Sequence, residues 1–126
     1  MKKSTKYFIG ILIIVILGIW FFGLRDNSSG KYDGFAQCLT DKGAKMWGAW
    51  WCGHCADQKA LFGKKSFGKI NYIECSTSNR QQTPYCDDNG VKGYPTWDFA
   101  NGSRESRVLT LEELSQKTGC ELPVSQ

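Results

Sequence analysis

A long apolar stretch near the N-terminus constrains this chain more than any other feature, because it divides the sequence into two parts. Residues 7–24, YFIGILIIVILGIWFFGL, contain no charged side chain. As an α-helix with a rise of about 1.5 Å per residue, they would extend about 27 Å, close to the bilayer hydrocarbon thickness of about 30 Å. We therefore predict a transmembrane anchor over residues 7–24 and a separate domain over residues 32–126.

The charges on either side of the apolar stretch predict its orientation. Three lysines, at positions 2, 3 and 6, precede it, whereas Arg25 and Asp26 follow it and cancel in charge. By the positive-inside rule, residues 1–6 stay in the cytoplasm, and the domain after the linker at residues 25–31 lies on the periplasmic or extracellular face. A cleaved secretory signal is the alternative. The apolar run is longer than the usual signal core of about 7–15 residues, and GLRDNSSG offers no clear cleavage site.

Composition narrows the classes of partner and the compartment. The net charge is +4, and the N-terminal lysines supply most of it. The exported part is nearly neutral, which argues against nucleic acid as a partner. The chain contains six cysteines. In an oxidising compartment, a small domain of this kind commonly uses cysteines for disulfide bonds that supplement a modest core.

The exported part alternates between helical and extended patterns. The predicted elements are, in order, a helix with Asp33 as N-cap and Gly43 as stop, a strand over 44–50, a helix over 53–65 with residues 60–62 in the core, a strand over 69–75, a short helical turn within 76–90, a hairpin over 95–108 and a helix beginning at Thr110. This order predicts a mixed α/β domain with a central sheet between helices.

Two local signals near the C-terminus are specific. Asn101 and Gly102 tolerate positive φ, which predicts a two-residue type I′ turn in the hairpin. Thr110 and Glu113, three residues apart, predict a capping box at the start of the last helix. Gly119 predicts the end of that helix.

The sequence Cys52-Gly53-His54-Cys55 places two cysteines one helical turn apart. At the N-cap of the helix, Cys52 would meet unpaired N–H groups and the positive end of the helix dipole, which favour a thiolate. Cys52 is therefore the predicted nucleophile, and the shielded Cys55 would attack a mixed disulfide formed at Cys52. His54 would stabilise the Cys52 thiolate and make a Cys52–Cys55 disulfide more oxidising. An exposed residue without a role is the alternative for His54.

Three other interpretations of the cysteine pair are weaker. A structural zinc site would need a second pair at similar spacing, but Cys75 and Cys86 are separated by ten residues. A c-type haem would need a histidine where Ala56 stands. We therefore expect no metal and no cofactor. An inert disulfide between residues 52 and 55 would close a very small loop and so stabilise the fold little.

The motif WCGHC after a hydrophobic strand, followed by VKGYPT at residues 91–96, resembles the thioredoxin superfamily. This resemblance implies a thioredoxin-like fold and a cis peptide bond at Pro95, preceded by Tyr94, against the cysteine pair. Reducing thioredoxins carry a buried aspartate where this chain has Met46, so that assistance to the second cysteine is missing. The Gly-His dipeptide between the cysteines is similar to that of disulfide isomerases.

A narrower resemblance covers the segments FAQCLTDKGAKMWGAWWCGHC, ECSTSN, YPTWDFANGSR and TGC. They look like the thioredoxin-like domains that are fused to, or work with, bacterial vitamin K epoxide reductase homologues. The resemblance implies disulfide exchange with exported proteins. It also implies re-oxidation by a separate quinone-linked enzyme in the same membrane.

With the pair at 52 and 55 assigned, the other four cysteines leave three pairings open. We favour Cys75 with Cys86 and Cys38 with Cys120, which would contribute roughly 3 and 4.5 kcal/mol at most by loop entropy. A relay of electrons through Cys75 or Cys86 is the functional alternative.

Tryptophans near the two motifs are candidates for binding substrate. Trp51 and Trp97, together with Tyr94, could line a shallow apolar surface for unfolded protein or a membrane partner. Partial burial under neighbouring loops is the alternative for Trp51 and Trp97. Trp47 is assigned to the core.

These features together predict a membrane-anchored thiol–disulfide oxidoreductase that forms or isomerises disulfides in exported proteins. One alternative is a thioredoxin-like protein that delivers reductant to exported thiols or apocytochromes. Another is a disulfide-stapled binding module without catalytic turnover.

Overall fold

The computed structural model describes residues 2–23 and 29–124. Leu24 and most of the predicted linker, residues 25–28, lie outside the described residues. Helix α1, Lys2–Gly23, contains an 18-residue window from Ser4 to Phe21 that is long and apolar enough to cross a membrane. A signal sequence at the N-terminus meets the same criteria of length and composition.

The domain after α1 contains four strands and five helices within residues 29–124. They are, in order, α2 Asp33–Asp41, β1 Lys45–Gly48, α3 Gly53–Phe62, α4 Lys64–Phe67, β2 Tyr72–Glu74, α5 Pro84–Asp88, β3 Thr96–Asp98, β4 Arg104–Glu105 and α6 Leu111–Thr118. The sheet order is β2-β1-β3-β4. Strand β1 pairs in parallel with β2 and antiparallel with β3, and β3 pairs antiparallel with β4.

The core lies on both sides of this mixed sheet. Met46 belongs to the larger cluster, which includes Leu39 of α2 and Leu114 of α6. The next residue, Trp47, belongs to a second cluster with Val91 and the cysteines at 75 and 86. Because successive strand residues point to opposite faces, the sheet separates the two clusters. The predicted thioredoxin-like α/β fold with an N-terminal apolar helix is confirmed.

The helix predicted over residues 53–65 is shorter than expected. Gly63 has a φ of 81°, so the chain leaves the helical path after Phe62 and begins the four-residue helix α4. The prediction that residues 60–62 all lie in the core is also wrong. Phe62 is 3% exposed, but Leu61 is 41% exposed, and Ala60 is also exposed.

The N-terminal edge of the domain is fixed by side chains of two helices. Tyr32, and not Asp33, is the N-cap residue of α2. The Asp33 carboxylate accepts hydrogen bonds from the Gly30 N–H and from the Ser66 hydroxyl. The Ser66 hydroxyl oxygen accepts one from the Tyr32 N–H. The backbone is therefore held against α4 from Gly30 onward.

The hairpin differs from the predicted two-residue turn. Gly102 N–H donates to the Phe99 carbonyl, and Phe99 N–H donates to the Ser103 carbonyl. Gly102 has a φ of 84°, whereas Asn101 does not have a positive φ. A type I′ turn needs positive φ at both central residues, so that prediction is wrong. The observed pattern is a longer loop with a left-handed glycine at its last position.

The last helix follows its predicted signals. The Thr110 side chain accepts a hydrogen bond from Glu113 N–H, and the Glu113 side chain accepts one from Thr110 N–H. This capping box is the predicted one. Gly119, with a φ of 75°, ends the helix in a left-handed cap.

Two disulfide bonds tie the periphery to the core. Cys38 of α2 is bonded to Cys120 beyond α6, across a sequence separation of 82. Cys75, directly after β2, is bonded to Cys86 of α5, across a separation of 11. Cys75 and Cys86 are both 0% exposed, so the polar loop between them is anchored on the second core cluster.

Candidate functional site

The two remaining cysteines lie where β1 leads into α3. The strand ends at Gly48, the chain turns through Trp50 and Trp51, and α3 begins with Cys52 as its N-cap residue. Cys52 has extended backbone angles, φ −77° and ψ 119°, as an N-cap residue requires. Its sulfur accepts a hydrogen bond from Cys55 N–H at 3.3 Å. The sulfur therefore occupies the capping position, where a negative charge is favoured.

The two sulfurs differ sharply in exposure. Cys52 is half-buried, whereas Cys55 is 1% exposed. Both are free thiols in this structure. Burial, followed by the hydrogen bond to Cys52, raises the pKa of Cys55 to about 12. Cys52 is thus open to another molecule, while Cys55 is a protonated thiol at neutral pH.

The loop before β3 packs against Cys52. The Tyr94–Pro95 peptide bond is cis. The Cys52 thiol lies 3.6 Å from the Tyr94 carbonyl oxygen, to which it donates a weak hydrogen bond. The Tyr94 hydroxyl donates to the side chain of Gln82, which holds the tyrosine ring in place. The structure therefore brings the WCGHC and VKGYPT motifs together.

A shallow cavity of about 350 Å³ adjoins this loop. It is lined by His54, Tyr94, Pro95, Ser106, Arg107 and Val108. Pro95 is a buried residue at the inner side of this cavity. Ser106 and Arg107, from the segment after β4, contribute polar groups to this cavity beside the loop.

Trp51 contributes to the same surface. Its ring lies 6.0 Å from the Tyr94 ring in an edge-to-face arrangement, and its Nε1–H donates to the Ser76 hydroxyl at 2.7 Å. Trp51 remains 42% exposed, and the neighbouring Trp50 is 54% exposed. The turn before Cys52 thus presents two adjacent, partly exposed indoles.

Trp97 does not belong to this surface, and the prediction that it lines a binding site is wrong. It is 0% exposed, and its Nε1–H donates to the buried Gln58 side chain at 3.0 Å. Gln58 also accepts from Leu109 N–H and donates to the Leu109 carbonyl. Trp97 is a core residue because both faces of this sheet are covered.

His54, which was predicted to tune the cysteine pair, is a highly exposed residue of α3. Its Nδ1 lies 3.9 Å from the Asp57 carboxylate, and both side chains are more than 70% exposed. An ion pair so exposed is screened by water and contributes little. The tuning role of His54 therefore stays a prediction.

Several residues behind Cys55 were not singled out from the sequence. A Cβ on Gly48 would lie 3.1 Å from both the Cys55 sulfur and the Tyr72 hydroxyl oxygen. The Tyr72 hydroxyl donates to Glu74 at 2.8 Å, and the Lys59 ammonium lies 4.2 Å from the centre of the Tyr72 ring. Burial, followed by the hydrogen bond to Glu74, raises the pKa of Tyr72 above its usual value.

The sequence contained signals for part of this arrangement. Tyr72 and Glu74 are two residues apart in a strand, and Cys55 and Lys59 are four apart in a helix, so each pair shares a face. Met46, at the position of the thioredoxin aspartate, is 0% exposed and pairs with Tyr72 across the parallel strands.

The fold and the paired motifs define a thioredoxin-like protein with a free dithiol at the N-terminus of α3. A comparison with known proteins agrees with this class. The chain is 37% identical over 103 residues to the thiol-disulfide oxidoreductase LTO1 of Arabidopsis thaliana. The aligned region covers 79% of this chain and 27% of that relative, so the chain spans about a quarter of the relative's length. No family model matches the chain.

Proposed function

We propose that this protein is a thiol–disulfide oxidoreductase that exchanges a Cys52–Cys55 disulfide with cysteines of exported proteins. The observation that carries the proposal is the unequal exposure of the two sulfurs. Cys52 is open beside the cis-Pro95 loop, whereas Cys55 is 1% exposed. The activity named for the relative LTO1 supports the same chemistry.

The arrangement suits both halves of an exchange reaction. A substrate thiolate attacks the Cys52 sulfur of the disulfide and releases Cys55, which gives a mixed disulfide at Cys52. A second substrate thiolate then attacks the substrate sulfur of the mixed disulfide. This attack forms a disulfide within the substrate and releases Cys52 as a thiolate. In isomerisation, the reduced Cys52 attacks a substrate disulfide, and another substrate thiolate then attacks the substrate sulfur bonded to Cys52, which forms a different substrate disulfide and releases Cys52 as a thiolate. Attack of Cys55 on Cys52 in a mixed disulfide instead releases the substrate thiolate and leaves the Cys52–Cys55 pair oxidised. Peptide contacts at Tyr94 and Trp51 would hold the substrate during these steps.

We further propose that α1 anchors the domain on the exported side of a membrane, with residues 1–6 in the cytoplasm. The apolar window from Ser4 to Phe21 and the lysines at positions 2, 3 and 6 support this orientation. A quinone-linked membrane enzyme related to vitamin K epoxide reductase would re-oxidise the pair. The support for that partner is the resemblance of the sequence segments quoted above.

Trapping of mixed disulfides tests the exchange reaction. In cells that express Cys55→Ser, we expect covalent adducts with exported proteins, because the resolving sulfur is gone and Cys52 remains. The adducts should disappear on reduction and should be absent from the Cys52→Ser/Cys55→Ser control. If non-reducing gels show no thiol-sensitive adducts, the proposed exchange is wrong.

The direction of electron flow has a separate test. Acid quenching and alkylation of cells should find Cys52 and Cys55 mainly oxidised if the protein donates disulfides. A mainly reduced pair would instead support the reductant-delivery alternative. For the partner, membranes that contain quinone should re-oxidise the reduced protein, and removal of quinone should stop this reaction.

A further inference from the structure

A phenol and a carboxylate on β2 lie behind the buried sulfur of the active pair. We propose that Tyr72 and Glu74 form a proton relay that moves the proton of the Cys55 thiol to and from solvent during disulfide exchange. This inference rests on the proposed function, because it concerns one step of that reaction. It goes beyond the sequence expectation, in which Met46 left the second cysteine without assistance.

The first observation is the proximity of the phenol to the sulfur. The Cys55 sulfur and the Tyr72 hydroxyl oxygen each lie 3.1 Å from the position that a Cβ on Gly48 would take. Both atoms therefore border the same small space over Gly48, which remains open because glycine has no side chain. A side chain on residue 48 would crowd both atoms, because its Cβ would already lie closer to each than an ordinary contact.

The second observation is a path from the phenol to solvent. The Tyr72 hydroxyl donates to Glu74 Oε2 at 2.8 Å. Glu74 Oε1 accepts from the backbone N–H groups of Trp50 and Ser76, each at 3.0 Å. These bonds fix the carboxylate under the turn that carries the active pair. Glu74 is itself exposed, so a proton that reaches it can pass to water.

The third observation is that Cys55 needs such help. Because burial raises the pKa of Cys55 to about 12, the group is a thiol at neutral pH, whereas the attacking species in exchange is a thiolate. The other titratable groups that act on Cys55 or Tyr72 are Cys52 and Lys59 of α3, with Tyr94 close to both sulfurs. Lys59 would favour the transient negative charge.

Bonds, electrons and protons balance among the protein, its substrate and water. As Cys55 attacks Cys52 of the mixed disulfide, the Cys52–Cys55 bond forms and the bond from Cys52 to the substrate sulfur breaks. The electron pair of the broken bond leaves with the substrate thiolate. The Cys55 proton passes to the Tyr72 oxygen while Tyr72 gives its own proton to Glu74, so no phenolate forms. Glu74 then loses that proton to water, and the substrate thiolate gains one. In the reverse direction the relay protonates Cys55 as it leaves.

Single-turnover kinetics test the relay. The reduced full-length protein is mixed with a peptide disulfide whose two halves carry different fluorophores, so that the first release reports attack by Cys52 and the second reports attack by Cys55. At pH 7, Tyr72→Phe should slow the second release about 100-fold, the scale of general acid–base catalysis. The first release should change less than about twofold. The second release should then accelerate about tenfold per pH unit as the thiol ionises to water.

Matched variants control for general perturbation. Glu74→Gln should slow the second release in the same direction, although its shape is conserved. Tyr85→Phe and Glu112→Gln, which alter an exposed phenol and an exposed carboxylate elsewhere in the domain, should leave both releases unchanged.

The outcomes separate the relay from the proposed function. Wild-type rates and pH dependence of the second release in both Tyr72→Phe and Glu74→Gln would overturn the relay, as would an equal slowing of both releases. In either case exchange at Cys52 would persist and the proposed function would stand. Exchange that survives Cys52→Ser would instead reject the proposed function itself.

Discussion

Two cysteine pairs of this small domain, 75/86 and 52/55, differ in their surroundings. Cys75 and Cys86 are 0% exposed and bonded to each other within a core cluster, and Cys120 of the second bond is 1% exposed. Cys52 instead caps a helix, half-buried, beside the cis-Pro95 loop. What distinguishes the 52/55 pair from the Cys75–Cys86 bond is one sulfur that is accessible, at Cys52, whereas both sulfurs of the other pair are buried. A buried disulfide cannot meet the thiolate that would attack it.

The largest expected effect comes from removing the accessible sulfur at Cys52, in comparison with removing the buried Cys75–Cys86 bond. Cys52→Ser should lower the rate of disulfide exchange by about 10⁴-fold or more, because the attacking atom is gone. The double variant Cys75→Ser/Cys86→Ser should retain exchange within about threefold at temperatures where it is folded. The rate at which each variant oxidises a reduced model protein measures both effects. Strong loss of exchange in the folded double variant would show that Cys75 and Cys86 relay electrons after all.

For the free energy of unfolding, in contrast, the two structural disulfides are expected to matter most. By loop entropy, removing the Cys38–Cys120 bond, which spans 82 residues, should lower the free energy of unfolding by up to about 4.5 kcal/mol. Removing the Cys75–Cys86 bond, which spans 11 residues, should lower it by up to about 3 kcal/mol. Serine replacement of both partners, followed by urea denaturation, measures each value. A larger loss for the shorter loop would mean that burial, and not loop length, governs these bonds.

The distance along the sequence between interacting residues explains which features the sequence could predict. The capping box of Thr110 and Glu113 and the N-cap position of Cys52 depend on residues a turn apart, so they could be predicted from the sequence. The pairing of the two motifs followed from a family resemblance. Trp97 was misassigned because a sheet covered on both faces has no exposed side that alternation could reveal.

Contacts between neighbouring strands are the main feature that the sequence could not predict. The approach of Tyr72 to Cys55 depends on the parallel pairing of β1 with β2, in which Gly48 lies opposite Glu74. One residue of slip would move Tyr72 to the other face of the sheet. Spacing within KINYIEC indicates that Tyr72 and Glu74 share a face, but it does not indicate which partner that face meets.

Gly48 offers a smaller perturbation close to the buried sulfur of the reactive pair. In Gly48→Ala, the new Cβ would lie 2.8 Å from Cε2 of Tyr72 and 3.1 Å from the Cys55 sulfur, so one of them must move. We expect a loss of about 1–3 kcal/mol in the free energy of unfolding and a slower reaction at Cys55 than at Cys52. Thermal denaturation and alkylation rates measure the two effects.

Gly34→Ala is the matched control for this substitution. A Cβ at this position in α2 would meet nothing within 4 Å. Gly34 lies in the first turn of α2, and alanine is favoured over glycine within a helix, so this variant should be neutral or slightly more stable. If both alanine variants behave alike, the close approach over Gly48 has no energetic consequence.

The smallest expected effect concerns the proton that a buried thiol carries and a disulfide does not. The pKa of Cys55 is about 12 in the folded protein, against an ordinary value of 9.0. Between these values the folded state holds a proton that the unfolded state releases, so the stability that Cys55 contributes falls as pH rises from about 9 towards 12. Urea denaturation of Cys52→Ala, compared with Cys52→Ala/Cys55→Ala, isolates this effect, because both variants keep the structural disulfides. The single variant should lose stability more steeply above pH 9, since only it has the thiol, and burial is the largest cause of the raised pKa. Parallel curves from pH 8 to 11 would mean that Cys55 ionises as readily in the fold as in the open chain, and the distinction between an open and a protected sulfur in the active pair would be lost.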